Sequence, residues 1–326
     1  MATMQDVAKK AKVSVATVSA VLNRSTYVSP ELTVRVQKAA AELDYRINAL
    51  ARSLKQGSTQ TVGMLIPSFG TPDPFFADVV DGVETTLRTA NYSLLLGQTH
   101  NRVAEQSRHI AAFRDRLVDG LLLFQAPGLD LELDKLLAER RPVVFVGRVP
   151  QPTAADVVAT DIEIGTWLGC SHLLQKGHRR IGLVTQKDSL SVREFRLTGW
   201  RRAHREATTP LDEALHVEGE LSSQGGYAAC MQLLDRKPLP QAIFVDDLVL
   251  TIGVVDALQQ RGLTNKIEVL SSDDAGWLDV FHIPISTIVQ PSQSVGSVAA
   301  QLFLNRIEDP NRPYETILLK PTLKLR

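Results

Sequence analysis

The chain has 326 residues, 44% hydrophobic and 22% charged, and its 36 Lys/Arg balance 36 Asp/Glu to a formal net charge of +0. That length accommodates two or three domains with cores of their own, and the composition is that of a soluble globular protein. No apolar run approaches the roughly 20 residues that span a bilayer, and no basic start followed by an apolar core marks a signal peptide, so no membrane partner and a cytoplasmic location are expected.

The neutrality conceals an asymmetry. Residues 1–60 hold nine Lys/Arg against four Asp/Glu, a net +5, which leaves 27 against 32, a net −5, for the remainder. A basic head on an acidic body points to a polyanionic partner for the head. Cys170 and Cys230 lack metal-ligand spacing and read as reduced, buried small hydrophobes.

The first helix opens at Thr3 with Asp6 three residues on, a capping box with Asp in place of Glu, and carries Val7, Ala8 and Ala11 on one face. Val13 breaks the pattern. Ser14 caps a second helix, Val15–Asn23, whose Val18, Val21 and Leu22 fall at i, i+3 and i+4. Val15, Ala16, Thr17, Ser19 and Ala20 are left for the other side. Two short helices joined by a tight turn, the second presenting small side chains, make a helix-turn-helix, and the methyls of Val, Ala and Thr can contact thymine in the major groove. Ser29-Pro30-Glu31 combines a cap, an N1 proline and a first-turn acid to start a third helix, with Leu32, Val36, Ala39, Ala40 and Leu43 closing the small core.

Asn48 can cap a short helix through Lys55, with Gly57 as its stop. A helix that short is marginal alone, because nucleation is costly. Leu50 and Leu54 share a face, and Arg52 and Lys55 can reach phosphates.

From Thr61 onward, short apolar strands alternate with amphipathic helices. TVGMLIP, YSLLLGQT, DGLLLF and PVVFVG read as strands of a first series, with helices in PFFADVVDGVETTLRTA, EQSRHIAAFRDRL and LELDKLLAE. The second series has helices in DIEIGTWLGCSHLLQKG, REFRLTGWRRAHREA, GGYAACMQLLD and LVLTIGVVDALQQRG, with strands in RIGLVT, QAIFVDD and KIEVLSSDD. STIVQP, a helix over about 292–307 and the terminal TILLKPTLKLR close the chain. Wholly apolar strands between helices predict parallel sheets covered on both faces, hence an α/β body of two doubly wound lobes with ligand at the carboxyl ends of the strands. Candidate ligand residues follow strands. Phe75 and Phe76 can stack on a ring, and Asp247 and Asp273 can accept bidentately from vicinal hydroxyls. No phosphate loop, HExxH, Cys-x-x-Cys or GxSxG pattern occurs, so no catalytic residue, metal or cofactor is expected, and the seven histidines read as ordinary surface or helix-end residues.

The runs DVAKKAKVSVATVSAVLN and VSPELTVRVQKAAAELDYRINALARSLKQGSTQTVGMLIP resemble the headpiece and hinge of the LacI/GalR family of bacterial repressors over about sixty contiguous residues. LLQKGHRRIGLV is similar to that family's core, which is shared with periplasmic sugar-binding proteins of type I. The resemblance implies that the second helix lies in the major groove, with Val15, Ala16 and Ala20 reading bases and Ser14, Thr17, Ser19 and Asn23 on the backbone. It adds Thr3, Arg24, Tyr27, Ala51 and Lys55 as DNA contacts and makes Leu54 a wedge in a central base step of a pseudopalindromic operator. In the cleft it implies Arg148, Arg196 and Leu221 as ligand contacts. Gly147 departs from the Asp common in relatives, and Ala20 from their larger polar residue.

The expected organisation is a headpiece at 1–47, a hinge helix and linker at 48–58, and a core at 59–326. Within the core, one lobe covers about 59–160 and 291–320, and the other about 161–290. The expected function is that of a homodimeric DNA-binding transcriptional regulator, a repressor controlled by a small effector, sugar or sugar derivative, between the lobes, cytoplasmic and on the nucleoid when bound to operator. The alternative is a corepressor-dependent repressor or an activator answering to a non-sugar anion. A pure solute-binding protein would leave the basic head unexplained.

Overall fold

The computed structural model describes residues 2–23, 26–45, 58–68, 74–115, 118–147, 154–187, 190–280 and 283–326. The expected hinge helix at 48–55, with Ala51, Leu54 and Lys55, lies outside them, as do Arg24, Arg148 and the side chain of Asn23. The chain divides into two compact units, Met1–Thr59 and Gln60–Arg326.

In the first unit α1 (Met4–Ala11), α2 (Val15–Asn23) and α3 (Pro30–Glu42) enclose Val7, Ala8, Ala11, Val18, Val21, Val36, Ala39 and Ala40. The capping box forms as its spacing predicts. Thr3 Oγ1 accepts from the Asp6 amide at 3.3 Å, and Asp6 Oδ2 accepts from the Thr3 amide at 2.8 Å. Helix α1 stops because Lys12 turns left-handed, at φ 51°. The Arg35 guanidinium, reaching from α3, donates to the carbonyls of Ala11 (2.6 Å) and Lys12 (3.2 Å) and so satisfies acceptors that the end of α1 leaves without intrahelical partners. At the start of α3 the expectation needs correction. The Ser29 hydroxyl accepts no capping hydrogen bond, and Pro30 at N1 supplies the helical φ there. Leu22, Leu32 and Leu43 are only half-buried.

The second unit holds two sheets of six strands. In the first, β1 (Thr61–Ile66), β2 (Ser93–Gln98), β3 (Gly120–Leu123), β4 (Val143–Val146), β5 (Asp156–Thr160) and β11 (Thr316–Leu319) run parallel in the order β11-β5-β4-β3-β1-β2. Helices α4 (Phe75–Thr89), α5 (Val103–Asp115), α6 (Leu131–Ala138) and α11 (Ser292–Glu308) accompany them. The strands alternate between two cores. Val62, Met64 and Ile66 join Val79, Val83 and Phe303 on one face, and Leu65 joins Ile110, Phe113 and Leu133 on the other. Helices α4 and α11 approach until a Cβ on Gly82 would lie 2.1 Å from the Gln293 carbonyl oxygen and one on Gly296 2.0 Å from that of Val79.

The second sheet contains β6 (Ile181–Gln186), β7 (His216–Gly219), β8 (Ala242–Val245), β9 (Glu268–Ser272), β10 (Ser286–Val289) and β12 (Thr322–Lys324), in the order β12-β10-β9-β8-β6-β7. All pairs are parallel except β10–β12. Its helices are α7 (Ile162–Gln175), α8 (Leu190–Glu206), α9 (Ser223–Leu234) and α10 (Leu248–Gln260). The chain passes between the sheets three times, after β5, after β10 and between β11 and β12. Strands β5 and β7 extend the set read from the sequence, and the terminal TILLKPTLKLR contributes a strand to each lobe.

Buried polar groups are tied to this topology. Arg306 grips Asp156, fully buried at the start of β5, through Nε to Oδ2 and Nη2 to Oδ1, both at 3.1 Å. Asp156 Oδ1 also accepts the Glu315 amide at 2.9 Å, and Arg306 donates to the carbonyls of Pro310, Arg312 and Pro313, which fixes the loop leading into β11. Cys170 and Cys230 are buried free thiols, and burial pushes both pKa values up, that of Cys230 to about 12. Not every histidine is a surface residue. His204 is 2% exposed beside Trp200, and His178 pairs with Glu268 at 2.8 Å. Among the described residues no helix is long and apolar enough to cross a membrane.

Candidate functional site

The chemistry of the first unit is concentrated on α2. Ser14 Oγ accepts the Thr17 amide at 3.0 Å and sits 2.8 Å from Thr17 Oγ1, which fixes the first turn of the helix. Val18 and Val21 are buried, and this turns Val15, 42% exposed, and Ala16 outward, with Ser19 and Ala20 half-exposed. The outward face therefore offers methyls and hydroxyls on a backbone that can come close to base edges. Tyr27, 87% exposed, stands just beyond the helix. The Thr3 hydroxyl is engaged with Asp6, and hydrogen bonds from Thr3 hold the Asp6 carboxyl below its ordinary pKa.

In the second unit a cleft of about 370 Å³ opens between the two lobes, within the range of small-molecule sites. Its lining comes from the carboxyl ends of strands in both sheets, as in other doubly wound folds. The first lobe contributes Pro67 and Ser68 after β1, Phe75 and Phe76 at the start of α4, His100 and Asn101 after β2, Phe124 after β3 and Gly147 after β4. The second contributes Gln186, Arg196, Leu221, Asp246, Asp247, Asp273 and Gln290. Six residues singled out from the sequence thus converge here: Phe75, Phe76, Arg196, Leu221, Asp247 and Asp273.

The two walls differ in chemistry. On the first, Phe124 meets Phe76 edge-on at a centroid separation of 5.2 Å and Phe75 at 6.1 Å. Gly147 (φ 76°) leaves room for this cluster, since a Cβ there would lie 2.5 Å from Phe124 Cε1. Aromatic faces of this kind suit the C–H face of a sugar ring or a flat heterocycle.

The second wall is polar and braced. Arg196, 4% exposed on α8, is no surface arginine. It donates Nε–H to Asp246 Oδ1 at 2.5 Å, Nη2 to Ser272 Oγ at 2.7 Å and Nη1 to Thr166 Oγ1 at 3.2 Å. Asp246 Oδ2 accepts the Gln186 amide at 3.2 Å. Asp247 caps α10, with Oδ1 accepting from the Val249 amide at 2.6 Å, so one oxygen of this expected ligand residue is held by the helix. Asp273 follows β9 in the left-handed region (φ 71°), 7% exposed, and its carboxylate accepts from the Gln290 amide nitrogen. Asp246, Gln290 and Phe124 were missed by the reading of candidate ligand residues from the sequence. The signal was present for Phe124 and Asp246, which lie at the ends of the runs DGLLLF and QAIFVDD read as strands, whereas Gln290 follows β10, in a stretch not read as a strand.

Comparison with known proteins follows the same division. Residues 3–48 match the family model "Bacterial regulatory proteins, lacI family", and residues 170–326 match a periplasmic binding protein-like domain. The chain is 34% identical to the ribose operon repressor of Haemophilus influenzae over 328 residues, spanning 100% of this chain and 98% of that protein. It is 30% identical to the transcriptional repressor PurR of Photobacterium profundum over 100% of this chain and 98% of that one. Among solved structures, the Lac repressor dimer bound to operator and the anti-inducer ONPF superposes with a TM-score of 0.86 at 25% identity, covering 100% of this chain and 98% of that one. A ribose-bound regulator from Enterococcus faecium superposes with a TM-score of 0.70 at 26% identity, covering 82% and 97%.

Proposed function

The chain belongs to the lacI family of bacterial regulatory proteins, and from that premise we propose that it is a homodimeric transcriptional repressor released from its operator by a neutral pentose of the D-ribose type. DNA binding is the work of the headpiece. Two heads on a dimer meet the two half-sites of a pseudopalindromic operator, with Val15, Ala16 and Ala20 as base-reading groups and Ser14, Thr17 and Ser19 on the backbone.

The observation that carries the ligand assignment is the makeup of the cleft: three carboxylates and one arginine on one wall, three phenylalanines on the other. The only arginine among the described lining residues has its charge answered by Asp246 at 2.5 Å, so the wall offers an anion no net attraction. Carboxylates beside a guanidinium and an amide suit a polyol, whose hydroxyls can donate to the acids and accept from the nitrogens. The phenylalanines then cover the ring. This argues against the anionic ligand that the sequence left as an alternative. The names of the ribose operon repressor and the ribose-bound regulator support the pentose.

The family is one of regulators, and the repressors it resembles are not enzymes. Ligand and operator are then coupled by a free energy of typically about 1–3 kcal/mol. Isothermal titration with D-ribose, D-glucose, ribose 5-phosphate and hypoxanthine tests the ligand class. D-Ribose alone binding in the micromolar range agrees with it, and preferential binding of the phosphate or the purine would replace it.

A further inference from the structure

Resting on that ligand reading, we propose that Asp274, which does not line the cleft, is the positioning residue for the ligand carboxylate Asp273, and that β12 supplies its anchor. Asp273 is a non-glycine residue at φ 71°, in the left-handed region that L side chains rarely adopt. On the Asp273 side, the amide donates to the Ile288 carbonyl at 2.9 Å and the carboxylate meets Gln290. These contacts reach the residue from β10 and from Gln290 just after it.

The next residue is held from two strands at once. Asp274 Oδ1 accepts from Thr287 Oγ1 of β10 at 3.0 Å. The same carboxylate pairs with Lys324 Nζ of β12 at 2.9 Å and with Arg326 Nη2 at 2.6 Å. Arg326 is itself locked, by Asp279 at 2.5 Å, by Thr287 Oγ1 at 3.1 Å and by the Ile285 carbonyl at 3.3 Å. The register of β10 against β12 places Lys324 directly opposite Thr287. Two cations and a hydroxyl thus converge on one carboxylate, one residue beyond a strained aspartate whose own carboxylate must point into the cleft. The arrangement is excessive for closing a turn and suited to fixing a direction. Asp274 also pins β12, the strand that follows the third passage between the lobes.

The test is a double-mutant cycle read in two ways. D-Ribose affinity is measured by isothermal titration for Asp274→Asn, Lys324→Met, Asp273→Asn and the Asp273→Asn/Asp274→Asn pair, and amide exchange is followed across residues 270–290 without ligand. Asp274→Asn is expected to weaken D-ribose on the order of tenfold, and to have no further effect in the Asp273→Asn background. Exchange at the Asp273 amide should quicken in Asp274→Asn while that at Val269 and Leu270 stays as in the unsubstituted protein. An equal loss of affinity in both backgrounds, or unchanged exchange at Asp273, overturns the proposal. If the unsubstituted protein does not bind D-ribose, the ligand reading fails by itself, and exchange at Asp273 decides the clamp alone.

Discussion

Arg196 and Asp246 form a buried ion pair, Nε to Oδ1 at 2.5 Å, with both side chains about 5% exposed. The second carboxylate oxygen is held by the Gln186 amide and the second guanidinium nitrogen by Ser272, so the pair is embedded in a lattice of neutral donors and acceptors. Removing one partner of such a pair leaves the other charge buried without compensation. Asp246→Ala and Asp246→Asn both remove the charge that answers Arg196, so each is expected to cost about 3–5 kcal/mol in urea unfolding. A much milder effect of the nearly isosteric Asn would mean that packing and hydrogen bonding rather than charge sustain this wall.

The contact between α4 and α11 depends on two glycines facing backbone. A methyl at Gly82 or Gly296 would overlap a carbonyl of the other helix at about 2 Å. Neither carbonyl is the end of a flexible side chain that can yield, so each Gly→Ala substitution should destabilise by about 1–3 kcal/mol despite the better helix propensity of alanine. Thermal unfolding of the two variants decides this, and a raised melting temperature in either would contradict the packing described.

Two serines that look alike in sequence separate in the structure. Ser14 accepts the Thr17 amide at 3.0 Å, whereas the Ser29 hydroxyl caps nothing. Ser14→Ala should destabilise the headpiece by about 1 kcal/mol, quicken exchange at the Thr17 amide and weaken operator binding, while Ser29→Ala should leave all three nearly unchanged. Comparable losses in both would show that neither acts as a cap.

The same pair illustrates how far the sequence could be read. Periodicity and capping residues marked α1, α2 and α3 because those signals are local, and apolar runs marked the buried strands. Strand β7 escaped because four residues at a sheet edge, alternating half-buried and buried, leave hardly any pattern, and β5 because DVVAT follows a polar, proline-bearing stretch. In the cleft, position after a strand marked Asp247 and Asp273 correctly as lining residues. It could not tell that Asp246 rather than Asp247 takes the arginine, because that depends on which of two adjacent carboxylates faces α8 across the sheet. Nor could it find His204 buried beside Trp200, since a histidine near a helix end carries no mark of what later packs over it.

One buried and two half-buried histidines give the protein an expected response to acid. Burial is the leading cause that lowers the pKa of His172, His204 and His216 below the ordinary value of 6.5. Below about pH 6.5 the unfolded chain therefore binds more protons than the folded one, so stability is fully present above that value and falls as pH drops toward the folded pKa values. Urea midpoints at pH 7.0 and 5.5 measure the fall. His216→Gln should reduce it, and an unaltered slope would shift the response to other groups.

On this reading one small ligand in the cleft governs the grip of α2 on DNA. This control is tested most directly by fluorescence anisotropy of the full-length protein on an operator selected from random duplexes, with and without saturating D-ribose at fixed salt. D-Ribose should weaken operator binding by about 5- to 150-fold, and Arg196→Ala should abolish this response. Operator affinity that stays the same with D-ribose bound in the cleft would contradict it.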